Sequence, residues 1–150
     1  MSSVVCLDAS VVARWVFPEE GWEQAVALYF ALLGADVSLV APEHFSIERV
    51  SVIRHKVGRG LVDGDEAAQA LGYLFSMDVR LVPVAPLASR ILEIANALNE
   101  DAWDAAYIAI AEAEGCDFWT ADKALATRAK PLFPFVKLLG EDTFVEDPAQ

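Results

Sequence analysis

Four acidic residues, Asp8, Glu48, Asp104 and Asp122, stand inside or directly against apolar segments. Asp8 ends the run Val4-Val5-Cys6-Leu7, and Glu48 lies among Phe45, Ile47, Val50 and Val52. Asp104 opens Ala105-Ala106-Tyr107-Ile108-Ala109-Ile110, and Asp122 follows Phe118-Trp119-Thr120. A carboxylate beside a core is costly unless it is paired, hydrogen-bonded or bound to a metal. Four of them brought together would line a site with oxygen, which suits a hard divalent cation. With no His or Cys in the set, Mg²⁺ or Mn²⁺ is favoured over zinc. Such an ion acidifies a bound water and stabilises negative charge on a group under attack, which is the chemistry of metal-assisted hydrolysis.

Each acid also has a plainer use. Asp8 can cap the helix after it, Asp104 can complement a helix dipole, Asp122 can serve a turn, and Glu48 can be a solvated neighbour of Arg49. The elements that position them decide how much weight a shared site carries. Short apolar runs at residues 4–7, 37–40, 79–84, 118–120 and 135–139 read as strands. Helices are expected from Ser10, as a cap, to Trp15, and over 22–33, from Pro42 to 57, and over 63–75, 87–98, 101–113 and 122–128. This alternation predicts one α/β domain with a central, mainly parallel sheet, and an acidic tail over 141–150 that frays. Ligands of such sheets bind beyond the carboxyl ends of the strands. Asp8 and Asp122 both follow strands, Asp104 opens a buried helix, and Glu48 rides a helix that can lean over the same crevice. Asp101, three residues before Asp104, shares its side of the helix but reads as a solvated cap.

The 150 residues are 55% hydrophobic with a mean hydropathy of +0.36. No apolar run reaches the ~20 residues of a membrane span, so the surplus apolar surface is expected at a subunit or partner interface. Trp15, Phe17, Trp22, Tyr29 and Phe30 are candidates for it, with core packing as the alternative fate. No leader is expected, because Met1-Ser2-Ser3 carries no basic segment. Cys6 and Cys116 have no metal-ligand spacing and read as free thiols of a reducing cytoplasm. A net charge of −12 argues against a protein that coats nucleic acid and invites a basic protein partner. Arg49, Arg54, His55, Lys56 and Arg59 form the dense basic run. Arg54, Lys56 and Arg59 can serve as a local positive track for a nucleic-acid backbone, or simply complement the C-terminal end of their helix.

Four pieces of the sequence, in this order, resemble a PIN-domain ribonuclease of the VapC toxin type. They are residues 4–10 with Asp8; Pro42 with Glu48 six residues on; Trp103-Asp104-Ala105-Ala106-Tyr107-Ile108-Ala109-Ile110-Ala111-Glu112; and Thr120-Ala121-Asp122-Lys123-Ala124-Leu125. The resemblance implies a three-layer α/β/α domain, an Mg²⁺- or Mn²⁺-dependent endoribonuclease, a homodimer, and a VapB-type antitoxin whose C-terminal segment wraps the toxin. It places the four acidic positions on Asp8, Glu48, Asp104 and Asp122. Of these, Asp8, Asp104 and Asp122 are expected as metal ligands, while Glu48 binds the metal or positions water. Thr120 and Ser10 match polar residues that orient the carboxylates or water. Ser51, Ala102 and Trp103 depart from the common pattern and leave the surrounding hydrogen bonds and the substrate preference open.

A PIN-like binding module without catalysis is the alternative. A haloacid-dehalogenase-type phosphohydrolase would need a second acid where Ser10 stands. A receiver-type signalling domain would need one at the end of the run 79–84, where there is none.

Overall fold

The computed structural model describes residues 3–146. Five short strands, β1 (Val4–Leu7), β2 (Ser38–Pro42), β3 (Val79–Val82), β4 (Asp117–Thr120) and β5 (Val136–Leu138), form one sheet in the order β3-β2-β1-β4-β5. Every strand pairing is parallel. The central strand β1 pairs Cys6 with Val40 on one side and Leu7 with Trp119 on the other. With sheet neighbours on both edges and helices on both faces, β1 is uniformly apolar from Val5 to Leu7 and buried there.

Seven α-helices lie among the described residues: α1 (Ala9–Val16), α2 (Trp22–Gly34), α3 (Phe45–Gly58), α4 (Gly64–Ser76), α5 (Ala88–Leu98), α6 (Ala102–Glu114) and α7 (Lys123–Ala129). Helix α6 crosses β1, β2 and β4 with α5 packed beside it, whereas α2, α3 and α4 gather around α1. The result is a three-layer α/β/α arrangement. Helix α6 is buried continuously from Ala105 to Ala111, because its small residues let it lie close on the sheet. Its start is capped by Asp101, whose Oδ1 accepts from Asp104 N at 2.8 Å, and Gly115 ends it in the left-handed region at φ 66°. Helix α4 starts in a capping box in which Asp63 and Glu66 satisfy each other's backbone N–H groups.

Several local expectations need correction. Pro42 is the last residue of β2 rather than part of a helix. A proline pushes the residue before it towards extended backbone, so Ala41 continues the strand. Ser10 lies inside α1, and the cap is Asp8, which stands directly at the strand end. Strand β3 ends at Val82, and a 3-10 turn over Ala85–Leu87 precedes α5. At the start of the tail, Asp142 accepts from Leu138 N at 2.8 Å and Lys130 Nζ at 2.5 Å; residues 147–150 of the segment expected to fray lie outside the described residues.

Phe17 is buried, and Trp15 packs on the core while donating from Nε1 to Ala25 O at 2.7 Å. Trp22, Tyr29 and Phe30 stay exposed. Tyr29 and Phe30, with Phe17, Lys56, Tyr73 and Met77, line an open groove of about 850 Å³ between α2 and α4. Both cysteines are free, and burial pushes the Cys6 thiol up. No helix among the described residues is long and apolar enough to cross a membrane.

Candidate active site

The chain leaves β1 into α1 and β4 into α7 through adjacent turns, because β1 and β4 are neighbours in the sheet. Asp8 and Asp122 are the N-caps of these two helices; capping was the plain use foreseen for Asp8, whereas Asp122, expected to serve a turn, also caps a helix. The caps are cross-linked. Thr120 Oγ1 donates to Asp8 Oδ2 at 2.7 Å and accepts from Asp122 N at 3.1 Å. Ser10 N donates to Asp8 Oδ1 at 3.3 Å, and Ser10 Oγ accepts from Ala121 N at 3.1 Å. Asp122 Oδ1 accepts from Leu125 N at 3.1 Å. Thr120 and Ser10 thus hydrogen-bond across both carboxyl-bearing turns.

Asp8 is 7% exposed, and it has no cationic partner among the bonds that hold it. Burial pushes its carboxyl up; the Thr120 and Ser10 hydrogen bonds pull it back, and the charge of Asp122 pushes it up again.

Asp104 opens α6 and Glu48 lies in the first turn of α3, where helix N-termini favour negative charge. Both are nevertheless held at about 7, above the ordinary carboxylate range. Burial is the main cause for each. For Glu48 the charge of Asp8 comes next, followed by the opposing Tyr107 hydrogen bond and the charge of Asp104. For Asp104 the neighbouring Asp101 comes next, followed by Asp8, Glu100 and Asp122. The acids from four distant places in the sequence therefore share one electrostatic field. Asp101 acts as the cap expected of it and adds its charge to that field.

Two residues that sequence reasoning gave no role touch Glu48. Tyr107 Oη donates to Glu48 Oε1 at 3.0 Å, and His44 Nε2 lies 3.3 Å from the same oxygen. His44 Nε2 is also 3.3 Å from Trp103 O, and burial lowers its pKa. Helical spacing held a usable signal. Tyr107 follows Asp104 by three residues and His44 precedes Glu48 by four, which puts each on the same side as its acid.

The basic run divides. Arg49 is 5% exposed, between the Phe45 and Phe75 rings at 4.6 and 4.0 Å, and donates to Leu74 O at 2.8 Å. It joins α3 to α4 and is not free to meet a ligand. Lys56 pairs with Glu19 and lies 5.5 Å from the centre of the Phe17 ring, in the groove. Arg54 and Arg59 are exposed.

Residues 5–131 match the PIN domain family. The chain belongs to the PIN-domain family. This PIN domain is 33% identical over 86 residues to Ribonuclease VapC12 of Mycobacterium tuberculosis, in both strain CDC 1551 / Oshkosh and strain ATCC 25618 / H37Rv. The match covers 57% of this chain and 65% of each relative, so it spans less than two thirds of their length. The crystal structure of PAE2754 from Pyrobaculum aerophilum shares the fold, with a TM-score of 0.60 at 18% identity over 84% of this chain and 79% of that one.

Proposed function

We propose that this PIN domain is a cytoplasmic endoribonuclease that hydrolyses RNA phosphodiester bonds with the help of Mg²⁺ or Mn²⁺, as the toxin partner of a VapB-type antitoxin. The observation that carries the proposal is the shared field of Asp8, Glu48, Asp104 and Asp122, which holds Glu48 and Asp104 at about 7. The partial match to the VapC12 ribonucleases points to the same chemistry.

The donor set fits a hard divalent ion, being all oxygen and mutually repelling. Among the described residues, no three His, Cys, Asp or Glu side chains form a ready-made cage. Asp8, Asp104 and Asp122 would hold the ion, directly or through water. When bound, it supplies an acidified water and charge stabilisation at the phosphate.

The chain's own residues do the positioning. Thr120 and Ser10 keep Asp8 and its turn in place. Glu48, steadied by Tyr107, would orient the attacking water and accept its proton, a task that its value of about 7 suits. Water adds to phosphorus as its proton passes to Glu48, the bond to the departing ribose oxygen breaks, and that oxygen leaves as a hydroxyl after taking a proton from solvent.

Arg54 and Arg59 are the members of the RNA track left free, with Lys56 contributing only if it leaves Glu19. Exposed Ile47, Val50 and Val57 on α3 and the groove beside α2 and α4 supply apolar surface for a homodimer and the antitoxin. A binding module without catalysis has no use for a strong cation site. Calorimetric titration with Mn²⁺ therefore tests the proposal: binding that is lost in Asp104→Asn supports it, and no binding by folded protein favours the module.

A further inference from the structure

Trp103 stands directly before Asp104, and its side chain is 56% exposed at the edge of the acidic site. The ring is steadied all the same. His44 meets it edge-on, with centroids 4.7 Å apart and planes at 88°. His44 also meets the Tyr107 ring, with centroids 5.6 Å apart and planes at 87°, and its Nε2 reaches both Trp103 O and Glu48 Oε1. Trp103, His44 and Tyr107 thus form an aromatic row that runs from solvent to Glu48. Trp103 is not among the residues that line the groove beside α2 and α4.

A chain of net charge −12 gains little from phosphate attraction around an acidic site. Stacking on a base face does not depend on the sign of the protein's charge, and it works on single-stranded RNA, whose bases are exposed. Exposed indole on a fixed mount next to the acids supplies that interaction.

We propose that Trp103, held by His44, stacks against a nucleobase of single-stranded RNA next to the scissile phosphate. This inference rests on the nuclease reading above and adds the determinant that selects unpaired RNA.

The test compares cleavage of short oligoribonucleotides by the wild type, Trp103→Ala and Trp103→Phe, with one abasic ribose placed in turn at each position flanking the cut. Trp103→Ala is expected to raise KM about tenfold or more with little change in kcat, and Trp103→Phe to recover most of the loss. One abasic position should raise the wild-type KM by a similar factor and add nothing in Trp103→Ala. An unchanged KM in Trp103→Ala, or equal sensitivity of both proteins to every abasic position, overturns the proposal. So does an unchanged KM together with an altered oligomeric state in sedimentation, which would assign Trp103 to a protein contact. Quenching of tryptophan fluorescence by a mixed-sequence single-stranded oligoribonucleotide reads the stack without cleavage. If the wild type cleaves nothing, the nuclease reading fails, yet quenching that disappears in Trp103→Phe still upholds the stack. If quenching is unaffected by Trp103→Phe, the stack fails too.

Discussion

The hydroxyl of Thr120 donates a 2.7 Å hydrogen bond to Asp8 Oδ2 across 112 residues of chain. Thr120 Oγ1 also accepts from Asp122 N, so one side chain ties the turns after β1 and β4 together. Thr120→Val keeps the shape and removes the oxygen. It is expected to cost roughly 1–3 kcal/mol of stability, because Asp8 and the Asp122 N–H lose a buried partner. RNA cleavage should fall roughly 10–100-fold. Thr120→Ser should restore most of both. Chemical denaturation and cleavage rates of the three proteins check this.

The raised carboxyls make metal-free stability depend on pH. Glu48 and Asp104 titrate at about 7 in the folded chain, above their values when unfolded, and burial is the first cause for both. A raised folded value favours the protonated form. Their contribution is therefore fully present below the unfolded carboxylate range and is lost as pH rises through about 7. In chelator, thermal stability should fall between mildly acidic and mildly alkaline buffer. Asp104→Asn should flatten that slope and raise stability at the alkaline end by on the order of 1 kcal/mol. Added Mn²⁺ should restore the wild type more than the variant. Thermal melts across this range, with and without Mn²⁺, check the sign.

Tyr107→Phe deletes only the hydroxyl that donates to Glu48. This hydrogen bond lowers the Glu48 pKa, so its loss moves that carboxyl further up. The acid limb of the rate–pH profile should shift to higher pH, and kcat should fall by roughly tenfold with KM little changed. A pure packing role for Tyr107 would leave the profile in place.

Arg49 separates structural from substrate-facing charge. Its guanidinium lies between Phe45 and Phe75 and bonds Leu74 O. Arg49→Ala is expected to destabilise by about 2 kcal/mol, through the lost ring contacts and an orphaned carbonyl, and to leave RNA affinity of the folded protein unchanged. Replacing Arg54 and Arg59 by Ala should do the reverse: unchanged stability, weaker RNA binding, and a shallower salt dependence by about 1–2 in slope. Denaturant midpoints and binding at several salt concentrations distinguish the pairs.

Much of this was legible in the sequence, for reasons that can be named. The run Val4-Val5-Cys6-Leu7 reads as a buried strand because both faces are covered, and an acid at its end marks the carboxyl edge of the sheet. The apolar and small residues after Asp104 announce a helix pressed on that sheet. Gly115 marks its stop. Pro42 misled because proline suits the first turn of a helix as well as the end of a strand, and only the pairing with Val82 decides. The fate of Arg49 was hidden because the Phe75 ring that covers it comes from another helix. Lys56 looked free for the same reason, since Glu19 lies 37 residues away. Tyr107 was in view but without a role, because its bond to Glu48 joins α6 to α3.

The most direct measurement is cleavage of a broad RNA pool by the purified protein and by Asp8→Asn, each with Mg²⁺, with Mn²⁺ and with chelator. The account predicts cleavage by the wild type that requires the cation and falls at least about 100-fold in Asp8→Asn while the fold persists. Full activity in chelator, or undiminished metal-dependent cleavage by Asp8→Asn, would contradict it.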